Sequence, residues 1–108
     1  MRDVNLLILL LKEMSATDLG VIFVPFFGGA SSEEQKRKHH AELLVDAGHA
    51  VWNDLDENML RITNQGYDFL DAIEKSPEAK KQFFDLIKKG LMYADAAQRI
   101  IEYMQSIT

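Results

Sequence analysis

The chain has 108 residues, no cysteine and a formal net charge of −5, with 47% hydrophobic and 27% charged residues. That fits one modest domain with its own core, and it excludes disulfides, zinc–thiolate centres and thiol catalysis. The overall basic balance common among phosphate-binding proteins is missing, so any nucleic-acid contact must rest on a local patch.

In chain order, Asp3 to Met14 reads as a helix, with Val4, Leu7, Ile8 and Leu11 at helical spacing and Leu6, Leu9 and Leu10 widening the stripe. Its uncharged run, Leu6 to Leu11, is far shorter than the roughly 20 apolar residues of a membrane span. It is flanked by Arg2, Asp3, Lys12 and Glu13, so a soluble, cytoplasmic chain is expected. Ser15 to Gly20 ends the helix. Val21 to Val24 reads as a short strand, which Pro25 confines to a sheet edge or end. Phe23, Phe26 and Phe27 belong to the core or, if exposed, to a contact surface.

Ser31-Ser32-Glu33-Glu34-Gln35 carries the capping-box spacing in two registers, and Gly48 stops the helix that follows. Ala50 to Asn53 and Met59 to Ile62 form a hairpin through Asp54-Leu55-Asp56-Glu57-Asn58. Thr63 caps a helix to about Glu74, with Tyr67, Leu70 and Ile73 facing the core and Phe69 beside them. Ser76-Pro77 opens a helix to Lys89, and a last helix covers Met92 to Ser106. The expected class is α+β, mainly α with a small β-hairpin. A winged helix-turn-helix-like domain over 1–74 is followed by a C-terminal helical extension over 75–108.

His40, Leu43, Leu44, Ala47 and Gly48 spell H-x-x-L-L-x-x-A-G. Leu60, Thr63, Gly66, Phe69, Leu70, Asp71, Ala72 and Ile73 spell L-x-x-T-x-x-G-x-x-F-L-D-A-I. With Met1-Arg2-Asp3 before an apolar helix, the chain resembles a family of short uncharacterised bacterial and prophage proteins, a domain of unknown function with a winged-helix fold. The resemblance implies that fold with a C-terminal helical extension, and little about activity. The short hairpin tip and the apolar stretch before Ser31 depart from the usual pattern and put ordinary DNA docking in doubt.

His39 and His40 point about 100° apart on a helix, and His49 lies beyond the glycine, so the spacing does not make a zinc site. His40 is expected to pack inside. With Leu43, Leu44 and Ala47 inward, the outer face carries Gln35, Lys38, His39 and Glu42, with Ser31 and Lys36 at its edges. On a winged helix that face enters the major groove, which makes Ser31, Gln35, Lys36, Lys38 and His39 the candidate DNA contacts. The bland alternative is a solvated face with a Glu34–Lys38 pair. Asp54, Asp56 and Glu57 at the hairpin tip would repel phosphate, and they form the candidate surface for a protein partner instead. Asp54 to Asn58 lacks the length and the glycine of a calcium loop. No phosphate-binding loop, nucleophile elbow or metalloprotease motif is present, so neither enzymatic activity nor a cofactor is expected. Apolar residues on more than one side of the last helix point to a homodimer.

Overall fold

The computed structural model describes residues 3–25, 31–53 and 58–106. In order, the elements are α1 (Val4–Ser15), β1 (Val21–Phe23), α2 (Ser32–Asp46), β2 (Ala50–Trp52), β3 (Met59–Ile62), α3 (Asn64–Lys75), α4 (Pro77–Lys88) and α5 (Tyr93–Ser106). The chain is mainly helical with a small three-stranded antiparallel sheet, an α+β fold. It forms two compact units, Met1–Tyr67 and Asp68–Thr108, and the division falls inside α3.

In the first unit the sheet order is β1-β3-β2. The strand before Pro25 is an edge strand, and the proline, which lacks an N–H, lies just beyond its end. The register places Ile22 and Trp52 on either side of Leu60, and Ala50 opposite Ile62. These residues share one face, because directly paired residues point the same way. Leu60 and Ala50 are fully buried there with Leu7, Leu10, Leu11 and Met14 of α1 and Ala41 and Leu44 of α2. The opposite face carries Val21, Val51 and Arg61 in one rung and Phe23 and Met59 in the next.

One crossing locks the ends of α2, β2 and α3 together. Gly48 adopts φ +78°, the left-handed turn that a Cβ resists. Thr63 Oγ1 donates to the Gly48 carbonyl at 2.6 Å and accepts from the Gly66 N–H at 3.1 Å. A Cβ on Gly66 would collide with the His49 carbonyl and with Ile62. The A-G and T-x-x-G motifs thus have a structural explanation: they fix how the chain turns between elements.

In the second unit, Ser76 Oγ accepts from the Ala79 N–H at 3.1 Å and caps α4, with Pro77 at the first position. Phe69, Phe83 and Tyr93 meet edge to face, with ring centroids 5.0, 5.6 and 6.0 Å apart. Burial pushes the Tyr93 hydroxyl well above its ordinary range. The expected roles of two α3 aromatics are reversed. Phe69 is fully buried and Tyr67 is partly exposed, since residues two apart lie on opposite sides of a helix.

Candidate functional site

The helix chosen from sequence as a binding element, α2, is held by its own cap. Ser31 Oγ accepts from the Glu34 N–H, and Glu34 Oε1 accepts from the Ser31 N–H, each at 3.2 Å. Glu34 therefore reaches back over the helix start, where the N-terminal partial charge favours a carboxylate. The Glu34–Lys38 pair of the solvated-face alternative does not form. Lys38 is half-buried, with its ammonium 4.0 Å from the centre of the Trp52 ring on β2.

The inward stripe also differs from expectation. His40, Ala41 and Leu44 are fully buried, while Leu43 and Ala47 are only half-buried. The stripe runs Arg37, His40, Ala41, Leu44 because α2 packs on α1 as well as on the sheet. A polar residue can occupy its centre because both ring nitrogens of His40 are satisfied. Nε2 accepts from the Asp3 N–H at 2.7 Å, so the proton sits on Nδ1, which donates to the Lys36 carbonyl at 2.8 Å. The histidine is a buried strut between the start of α1 and α2, as the packing reading of His40 expected.

The cations beside it are engaged in the same junction. Lys36 Nζ lies 3.2 Å from Asp3 Oδ2, and Arg37 reaches Glu13 at 2.9 and 3.5 Å through two nitrogens. The Lys36 hydrogen bond, helped by the Leu6 N–H, holds the Asp3 carboxyl below its ordinary value. An open cleft of about 430 Å³ lies here, lined by Asp3, Leu6, Leu9, Glu33, Lys36 and Arg37. Of the five residues proposed for DNA, Ser31, Gln35, Lys36 and His39 are exposed and Lys38 is half-buried. Their helix also carries Glu33, Glu34, Glu42 and Asp46, four carboxylates against three cations. The protein-facing candidates Asp54, Asp56 and Glu57 lie outside the described residues, as do Phe26 and Phe27.

His49 is nearly fully buried at the Gly48 crossing, and desolvation lowers its pKa to about 4. Among the described residues no group of three His, Asp or Glu side chains could hold a metal ion. Nor, among them, is any helix long and apolar enough to cross a membrane.

Sequence reasoning missed Arg37–Glu13, a pair across 24 positions that no local pattern reveals. It also missed the company of Arg61. Leu60-Arg61-Ile62 alternates visibly, yet only the strand register shows that Val21 and Val51 pair with Arg61 on either side. No family model, curated protein or solved structure matches this chain.

Proposed function

We propose that this is a cytoplasmic, non-enzymatic binding protein of winged-helix type, of the prophage or mobile-element kind that its motifs resemble, and that it recognises another protein rather than DNA. One observation carries the choice: the cations of α2 already have partners within the chain. Lys36 meets Asp3, Arg37 meets Glu13 and Lys38 lies on Trp52. Phosphate binding draws its affinity from cations free to displace counterions, and α2 as a whole carries more carboxylates than cations. The order β1-β3-β2, with α2 leading into the β2–β3 hairpin, supports the winged-helix part of the reading. The acidic segment between β2 and β3, with Asp54, Asp56 and Glu57, repels phosphate and so weighs against DNA. A homodimer through the C-terminal helices belongs to the same proposal, supported by half-buried Ile101 and Met104 on α5.

An anisotropy titration of a labelled mixed-sequence duplex over a salt series tests the choice. The expected result is no salt-dependent binding, and no difference between the wild type and a Lys36→Glu, Lys38→Glu double variant. Binding that weakens steeply with salt and disappears in the double variant would establish Ser31, Gln35, Lys36, Lys38 and His39 as a DNA-reading face and overturn the proposal.

A further inference from the structure

We infer that the outward face of the sheet is the docking surface, and that its occupant is an apolar protein segment carrying a carboxylate that pairs with Arg61. The inference rests on the protein-binding reading and names the partner's chemistry.

Arg61 lies on β3, the central strand, with Val21 directly across on β1 and Val51 directly across on β2. Phe23 and Met59 form the neighbouring rung on the same face. This is the reverse of an ordinary solvent face, where polar side chains alternate with buried apolar ones. Phe23 is 52% exposed although aromatic, and Val21, Val51 and Met59 are half-buried. Two cations of α2 contrast with Arg61. Lys36 and Arg37 each have a carboxylate partner, while Arg61 is exposed and has no ion pair among the described residues.

An exposed arginine whose directly paired neighbours on both adjoining strands are valines defines its complement. A carboxylate brought in by a segment whose neighbouring side chains are apolar would meet a planar, doubly donating cation at a site its own bulk desolvates. A second copy of the chain fits poorly. In a symmetric face-to-face pair, the central strands would bring two Arg61 side chains together, and like charges meeting in an apolar contact repel. Phosphate fits poorly as well, because a single cation among valines offers no second positive group along a backbone.

Selection of a random peptide library displayed on phage, with the full chain as bait, tests the inference. Enriched peptides should carry an Asp or Glu flanked by apolar residues. Synthetic copies should bind Arg61→Glu and Phe23→Ser at least about tenfold more weakly than the wild type. Replacing the peptide carboxylate by lysine should restore binding to Arg61→Glu. Circular dichroism should show both variants folded, since both side chains are exposed. Peptides lacking a carboxylate, equal binding to both variants, or no enrichment would overturn the assignment. So would dimerisation abolished by Phe23→Ser, which would give the face to a second copy. Peptides that bind but ignore both substitutions would leave the protein-binding function standing and move its surface elsewhere; salt-dependent duplex binding would remove both.

Discussion

The first unit presents two outward surfaces with opposite character. The outer side of α2 is rich in charge, and its cations are tied to α1 and β2. The outer side of the sheet holds a single charge, and that charge is unengaged among the described residues. Charge density alone therefore does not separate cations engaged in the fold from cations that are not. Lys36, Arg37 and Lys38 have neighbours within the fold, whereas Arg61 stands beside Val21 and Val51 with no ion pair among the described residues. The contrast makes graded claims about stability: substitutions at the α1–α2 junction should lower it, and substitutions on the sheet face should not.

The largest effect is expected at His40. Replacing it by alanine empties a fully buried site and leaves the Asp3 N–H without its acceptor. Cavity and orphaned donor together should cost about 3 to 4 kcal/mol. His40→Leu keeps most of the volume but not the acceptor, and should fall between the wild type and alanine. Urea midpoints of the three proteins check this. If leucine is as stable as histidine, the strut is packing alone and the hydrogen bond to α1 contributes nothing.

Acid acts on the same unit through His49. Its folded pKa, about 4, lies below the ordinary 6.5, so on acidification the unfolded chain takes up the proton first. The stability that His49 contributes is therefore complete above about pH 6.5 and is lost as pH falls towards 4. Asp3, also lowered, acts in the same direction over a more acidic range. Between pH 7 and pH 4.5 the loss from His49 should be about 2 to 3 kcal/mol. Urea titrations at the two pH values measure it, and His49→Gln should flatten the dependence. An unchanged slope in that variant would place the acid sensitivity elsewhere.

The elements themselves were legible because their signals are local. Ser31 with Glu34, Gly48, Ser76 before Pro77, and the helical spacing in α1 each need only a few neighbouring residues. The site was less legible because its determinants are distant. Hydrophobicity predicts a stripe of Leu43, Leu44 and Ala47; Leu44 is buried, while a histidine with both nitrogens satisfied takes the place of the other two, which lie towards the flank. Nothing near Lys36 in sequence announces Asp3, 33 positions away. The pairing of β1 with β3 is equally remote. Without it, Phe23 is an aromatic of unknown orientation, and Arg61 is one polar residue in an alternating strand.

The finest test sets Arg37 against Arg61. Arg37 makes a two-nitrogen pair with Glu13 at a partly exposed junction, and such pairs contribute about 0.5 to 1 kcal/mol. Arg37→Ala should lower stability by that amount, and the loss should shrink in high salt as screening weakens the pair. Arg61→Ala should stay within about 0.5 kcal/mol of the wild type at any salt, as expected of an exposed substitution without a partner. Thermal melts of both variants at low and high salt give the comparison. A salt-sensitive loss at Arg61 would mean that the chain itself supplies its carboxylate. The sheet face would then be held in the same way as α2, and the difference between the two surfaces would vanish.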